Sequence, residues 1–437
     1  MTSFILRNGS VIRPAATLLA DVLIVDGVVR EVGPNLVAPS KAREIDASGC
    51  WVGPAFVDLH THLREPGFEH AETIESGANA AAVGGYAAVV AMPNTEPALD
   101  SVAVVAYVLD RGANTRVDVA VAGAITINRA GERLAPLAEL AALGVRLFTD
   151  DGTGVQDAAL MRRAFEYARP LGVRLAQHCE DAWLAAGGSM NEGIVSSRLG
   201  LTGRPAIAEE LMVLRDLELA RATGGRLHLL HLSTQRSLSL VAAARAEGVD
   251  VTCEVAPHHF TLDETACSGY DAIMKVHPPL RTSDDVGALR GALRQNGVDA
   301  VATDHAPHSP ESKDLAFDEA PAGMLGLEHA ASLTYEALGG PTANAQRFFD
   351  LLSRGPARVA QLRAHDPRPR HSAHGGDVEV GEPANLTIFD PNATYVVDRE
   401  RLQSRSTNTP YHGRQLVGRA RATFVRGRLV AFEGELA

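Results

Sequence analysis

The chain has 437 residues, 46% of them hydrophobic, with 41 basic against 53 acidic residues and a net charge of −12. That length allows a large buried core and two or three domains, and the acidic balance, with no basic run, argues against nucleic acid or an anionic membrane as partner. An anionic substrate would meet a mildly repulsive field and need a local cationic clamp.

The first fifty residues carry short strands, SFILRNG and ADVLIVDGVVREVG, with an Asp-Gly hairpin signal at 26–27. The stretch MTSFILRNGSVIRP does not read as a signal peptide. GANAAAVGGYAAVVAM is split by glycines and too short to span a bilayer. The texture then changes to repeated strand, turn and helix. Eight strands follow: VGPAFVDLHTH, AAVVAMPN, VDVAVAGAIT, GVRLFTDDG, GVRLAQHCE, GRLHLLHLS, VDVTCEVAPHHF and VDAVATDHAPH. Segments such as AALMRRAFEYARPL and AIAEELMVLRDLELARAT separate several of them with helical apolar spacing. The last sixty residues return to strands, ANLTIFDP, ATYVVD and ATFVRGRLVAFEG. The predicted architecture is α/β: a (β/α)8 barrel over 53–374, beside a small β-sandwich domain built from both chain ends, 1–52 with 375–437.

Almost every barrel strand carries a polar residue near its C-terminal end: His60, Asn94, Asp151, His178, His231 and Asp304. In this fold those ends gather at one mouth. Residues i and i+2 of a strand share a face, so His60 and His62 offer two imidazoles to one cation. Neutral imidazoles with carboxylates suit Zn²⁺ ahead of Mn²⁺, Co²⁺ or Fe²⁺, and four histidines with two or more carboxylates suffice for two metals. In FTDDG, strand alternation does not choose between Asp150 and Asp151. Arg64, two residues past His62 in a mouth otherwise poor in cations, is the candidate clamp; the plain alternative is a salt bridge to Glu65 or Glu69. His258 and His259 read as packing or supporting groups, and Cys179 as pointing away from the metals. The four cysteines, Cys50, Cys179, Cys253 and Cys267, form no CxxC and read as reduced residues of a cytoplasmic protein.

The motifs DLHTHLREPG, AMPNT, LFTDDG, AQHCED, LHLLHLST, EVAPHHF, PPLR, ATDHAPH and STNTPYHGR together resemble the type I dihydroorotases of the cyclic amidohydrolase superfamily, over nearly the whole chain. The resemblance implies zinc-dependent, reversible cyclisation of N-carbamoyl-L-aspartate to L-dihydroorotate plus water, the third step of de novo pyrimidine biosynthesis. The rivals are another cyclic amidohydrolase (allantoinase, or dihydropyrimidinase/hydantoinase) and a non-catalytic structural partner of aspartate transcarbamoylase. It further implies two zinc ions per subunit, bridged by Asp151 and a hydroxide. His60, His62, Asp151 and Asp304 surround one; Asp151, His178 and His231 surround the other. Many relatives use a carboxylated lysine on the fourth strand as the bridge, but no lysine lies between 42 and 274 here; Lys41, Lys275 and Lys313 are the three in the chain. Asp304 doubles as the catalytic acid/base. His62, Arg64, Asn94, His277, His308, Ala322 and Gly323 match the family's substrate contacts. His277 stands where the family usually has Asn, and Ala322 where Phe is common, which implies altered affinity or pH response. HSPESKDLAFDEAPAG, after the eighth strand, reads as a lid. A homodimer or a complex with aspartate transcarbamoylase is compatible with the resemblance.

Overall fold

The computed structural model describes residues 3–362 and 373–437. Residues 1–2 and 363–372, which the expected domain ranges include, lie outside the described residues.

Eight parallel strands form the central sheet: β1 (Phe56–Thr61), β2 (Tyr86–Ala91), β3 (Asp118–Gly123), β4 (Leu147–Thr149), β5 (Arg174–Gln177), β6 (Leu227–Leu229), β7 (Val251–Val255) and β8 (Ala300–Val301). Each pairs with the next in chain order. Leu59, Val90, Ala122, Leu147, Ala176, Leu230 and Ala300 pack together in one apolar cluster inside this sheet. Helices cover the outside, as the apolar periodicity demands. Ala158–Ala168 begins where Asp157 accepts from the amides of Ala159 and Leu160, and buries Leu160, Met161, Ala164 and Phe165. Ala206–Thr223 ends at Gly224 in the left-handed conformation.

β8 is only two residues long, and the ring closes on β1 largely through a side chain. His62 N donates to His305 O at 2.9 Å, beside a parallel bridge between Thr61 and His305. Below it, the fully buried Asp58 carboxylate accepts from Thr303 N and Thr303 Oγ1, both at 2.7 Å, and from Thr61 Oγ1. Burial pushes Asp58 up to about 6, even with these donors holding its anion.

Both chain ends enter one nine-stranded sheet, in the order Glu435–Leu436, Arg428–Phe432, Gln415–Val425, Leu386–Val396, Trp51–Pro54, Ser3–Ile12, Thr17–Val25, Val28–Gly33, with Arg43–Asp46 paired to Ser3–Ile12. The sheet folds over its own apolar cluster, where the Phe4 and Phe424 rings meet edge-to-face at 5.1 Å. The Asp26–Gly27 turn joins two antiparallel strands with φ of 50° and 88°, the left-handed pair a tight hairpin requires.

Two expected strands are cut differently. VGPAFVDLHTH divides at Ala55: Trp51–Pro54 pairs with Ser3–Ile12 in the outer sheet, and Phe56 opens the barrel. In VDVTCEVAPHHF the strand stops at Val255, because Pro257 opens a short helix, Pro257–Thr261. Among the described residues, no helix is long and apolar enough to cross a membrane.

The seam yields a test. Asp58→Ala strips a buried amide and two hydroxyls of their acceptor and should lower unfolding free energy by about 2–4 kcal/mol. Urea unfolding at matched metal content checks this; a loss below about 0.5 kcal/mol would mean that backbone pairing closes the barrel unaided.

Candidate metal centre

Barrel geometry brings six buried side chains from five strand ends to one point. His60 lies in β1 and His62 one residue beyond it; Asp151, His178 and His231 follow β4, β5 and β6; Asp304 follows β8. His231 and Asp304 have φ of 30° and 47°. Such left-handed backbone costs a non-glycine residue about 1–3 kcal/mol and survives only where the surroundings enforce it.

Asp151 sits at the centre. Its Oδ1 is 3.4 Å from His60 Nε2 and 3.6 Å from both His178 Nδ1 and His231 Nε2, while Oδ2 is 3.6 Å from His62 Nε2. Asp304 Oδ1 lies 3.2 Å from His62 Nε2 and 3.5 Å from His60 Nε2. Two donor groups share Asp151: His60, His62 and Asp151, and Asp151, His178 and His231, each with its atoms within 4.8 Å of one another. Asp150, the neighbour that alternation could not exclude, turns away and accepts from Ile125 N and from the amide and hydroxyl of Thr126.

The donors fit divalent metal. His60 Nε2 and Asp151 Oδ1 are buried and have no hydrogen-bond partner, although they face each other across the cluster. Burial alone would raise both carboxylates, but the imidazoles around them outweigh it and hold Asp151 and Asp304 well below the usual carboxylate range. Both are therefore anionic at neutral pH.

A second ring of groups sets which nitrogen of each imidazole faces inward. Glu254 Oε1 binds His60 Nδ1 at 3.0 Å, and its other oxygen binds His228 Nε2 at 3.0 Å. Asn94 Oδ1 lies 2.8 Å from His62 Nδ1, and Glu180 Oε2 lies 3.3 Å from His178 Nε2. Each acceptor holds the proton on the outward nitrogen, leaving the inward lone pair for a metal. Arg204 in turn pairs with Glu180 at 2.7 Å.

Of the sequence-assigned substrate residues, Arg64, His308, Ala322 and Gly323 come together, Asn94 contacts His62 and Asp151, and His277 lies apart from them near Glu180 and Arg204. Arg64 has φ 61° and lies three residues past the end of β1, so a turn, and not strand alternation, swings it over the mouth. Its Nε donates to Pro307 O at 3.1 Å and its Nη2 is 3.4 Å from His308 Nε2. Glu65 instead pairs with Arg111, and Glu69 accepts from Gly67 N. Burial lowers Arg64 to about 10, leaving it cationic at neutral pH. His308 Nε2 also meets Ala322 O at 2.8 Å. A side chain at Gly323, φ 136°, would collide with Ala306 and His308. Asn408, from STNTPYHGR, gathers these pieces by bonding His308 N, Ala306 O and Gly323 O. Asn94 is engaged with its amide, which donates to Asp151 Oδ2 at 3.3 Å. His277 keeps a buried Nε2 without a partner and is held neutral by burial, at about 3. His258 Nε2 lies 3.8 Å from Asp304 Oδ2, whereas His259 binds Pro278 O at 2.8 Å. The segment read as a lid is fastened down: Phe317 is buried beside Val276 and Leu280, and Lys313 donates to Ala272 O and Pro321 O at 3.0 and 2.7 Å.

A family model described as Dihydro-orotase-like matches residues 49–237. A dihydroorotase of Pelotomaculum thermopropionicum is 45% identical over 98% of both chains. The chain belongs to the dihydroorotase family. The dihydroorotase of Mycobacterium tuberculosis is 44% identical over 95% of this chain and 96% of its own. Among solved structures, the L-hydantoinase of Arthrobacter aurescens superposes with a TM-score of 0.87 at 25% identity, over 100% of this chain and 98% of its own. The D-hydantoinase of a Thermus species gives 0.82 at 27% identity, over 99% and 96%. A (β/α)8 barrel acting on cyclic amides is thus the architecture of this chain.

Sequence reading missed Glu254, His228, Glu180, Arg204, Asn408 and Arg129. Glu254 had a signal: an acid inside the apolar strand VTCEV is retained only if something buried needs it. Arg129 and Arg204 sit where no periodicity operates, and they make the mouth richer in cations than expected. Glu254 leads to a test. Glu254→Ala should free His60 Nδ1 and weaken metal binding about 10–100-fold, seen by chelator competition, with Glu254→Gln intermediate. Unchanged affinity would show that His60 needs no outer partner.

Proposed function

We propose that this chain is a zinc-dependent dihydroorotase interconverting N-carbamoyl-L-aspartate and L-dihydroorotate. The observation that carries the reading is Arg64: a cationic guanidinium beside the metal donors that bonds to a carbonyl and an imidazole and, among the described residues, to no carboxylate. Dihydroorotate carries a carboxylate that dihydrouracil, hydantoin and allantoin lack, and a planar fork pairs with it bidentately.

In this reading His60, His62, Asp151 and Asp304 hold one zinc, and Asp151, His178 and His231 hold the second, with Asp151 shared. Bound there, the metals supply Lewis acidity toward the ring carbonyl and bring the attacking water within reach of deprotonation near neutral pH. The chain's own groups do the rest. Arg64 holds the ring carboxylate and Asn94 orients the ring beside Asp151, which fixes the amide carbon for attack. Asp304 offers Oδ2, the oxygen facing His258, to take the water's proton and hand it to the departing ring nitrogen. His277, His308, Ala322 and Gly323 complete the pocket wall. In the biosynthetic direction the same groups act in reverse. The full donor set argues for catalysis, not a structural role, whether the chain works alone, as a homodimer or with aspartate transcarbamoylase. Four free, buried cysteines suit a reducing compartment such as the cytoplasm.

Purified protein should turn over dihydroorotate far faster than dihydrouracil or allantoin. Arg64→Met should lower kcat/KM on dihydroorotate by about 30- to 1,000-fold at unchanged metal content and leave weak dihydrouracil turnover nearly intact. Equal losses on both substrates would remove the anionic-substrate reading and favour a hydantoinase-like activity.

Metal chemistry supplies an independent check. About two zinc equivalents per chain are expected, and metal-stripped protein should recover with zinc alone, without bicarbonate, because a carboxylate and not a carboxylated lysine is shared. A bicarbonate requirement, or full activity with one equivalent, would contradict it.

A further inference from the structure

The chain holds three lysines among its 41 basic residues, and two of them, Lys275 and Lys313, meet at one place in the fold. Lys313 belongs to the segment after β8, and Lys275 follows the short helix Ala272–Met274. Lys313 Nζ donates to Ala272 O at 3.0 Å and to Pro321 O at 2.7 Å. Lys275 Nζ donates to Asp318 O at 2.8 Å, and Lys275 O accepts from Gly323 N at 2.8 Å. Three of these bonds strap the two segments together, and the one to Pro321 closes the later segment on itself. Among the described residues neither ammonium pairs with a carboxylate. Lysine suits this task in an arginine-rich chain, because a compact ammonium can send donors to separate carbonyls, whereas a guanidinium presents a planar fork.

What the straps hold is the pocket wall. Pro321 O is taken by Lys313, and Ala322 O meets His308 Nε2 at 2.8 Å. Gly323 N is taken by Lys275 O, and Gly323 O accepts from Asn408 Nδ2 at 3.2 Å. Pro321 has no amide hydrogen. Ala322 N is therefore the one backbone polar group of these three residues without a partner among the described residues. It sits beside His308, whose Nε2 also lies 3.4 Å from Arg64 Nη2. Backbone donors are normally satisfied, so an amide left over where each neighbouring group is bonded is a donor open to a ligand.

We propose that Lys275 and Lys313 are positioning residues, which fix residues 318–323 so that Ala322 N donates to a substrate oxygen beside Arg64. The proposal rests on the dihydroorotase reading. Both lysines act through backbone and touch neither substrate nor metal. The segment after β8 then works as a fixed wall and not as a moving cover.

The test is Lys313→Met and Lys275→Met, each of which keeps an apolar chain and removes the donors. A contact made alike in ground state and transition state shows its loss in KM. On metal-quantified holoenzyme, KM for dihydroorotate and for N-carbamoyl-L-aspartate should rise about 5–50-fold, with kcat within about twofold. Amide exchange across 313–323 should quicken in the same variants. Lys313→Cys, alkylated to S-aminoethylcysteine, returns the ammonium with sulfur in place of one methylene and should recover the KM; the four native cysteines are buried and spared. Lys275→Met serves alone if the Lys313 variants do not fold. A fall in kcat at unchanged KM, or loss of metal, would overturn the proposal by making the lysines supports of the metal centre. Unchanged KM in both Met variants would overturn it by showing that the wall stands without its straps. A raised KM with unchanged amide exchange would overturn it by placing the lysines on the substrate itself. Wild-type protein inert on both compounds would instead refute the dihydroorotase reading, which the wild-type assay alone decides.

Discussion

Everything in this molecule answers to the Asp151 carboxylate. It is 2% exposed, and imidazole nitrogens from His60, His62, His178 and His231 surround it at 3.4–3.6 Å. Burying an anion among polar groups is costly unless cations and hydrogen bonds compensate it. A divalent metal held by these donors would provide the charge, and the outer partners provide the order. Glu254, Asn94 and Glu180 each hold one imidazole by its outward nitrogen, so the orientation of each ring is set before a metal arrives.

The barrel is what allows six such groups to meet. Strand ends converge at one mouth whatever their separation in sequence, and His60 and Asp304 lie 244 positions apart yet 3.5 Å from each other. That convergence depends on the seam between β8 and β1, where backbone pairing is thin and Asp58 grips Thr303. The stability of the ring and the geometry of the first two metal-facing histidines therefore share one strand, with Asp58 and His60 two residues apart. A mutation that loosens the seam moves the site as well.

Beside the metal donors stand two guanidinium groups, Arg64 bonded to Pro307 O and Arg129 bonded to Asp151 O. The acidic chain as a whole repels anions, but Arg64 and Arg129 make the mouth a local exception. Their backbones are both left-handed, at 61° and 54°, which aims each side chain in a direction that a regular strand would not give. Both guanidinium groups are thus aimed by loops and not by the regular strands whose ends carry the metal donors.

The sequence by itself determined the eight-strand alternation, the β-rich ends, the HxH pair and the placement of Asp151, His178, His231 and Asp304 at strand ends. Hydrophobic periodicity is written locally, and metal-ligating residues are chemically conspicuous in apolar strands. The absence of lysine between 42 and 274 also left the fourth strand without one to serve as a bridge. Strand alternation did not separate Asp151 from Asp150, since both lie past a three-residue strand whose alternation has already ended; the family resemblance favoured Asp151, and the tertiary structure turns Asp151 inward and Asp150 away. It alone placed Glu254 behind His60, divided the first expected strand at Ala55, and fastened the segment read as a lid with Phe317 and Lys313. Arg129 was invisible for the same reason: its direction comes from two left-handed residues in a loop pinned by Asp100 and Asp150, contacts between segments that no local pattern in the chain encodes.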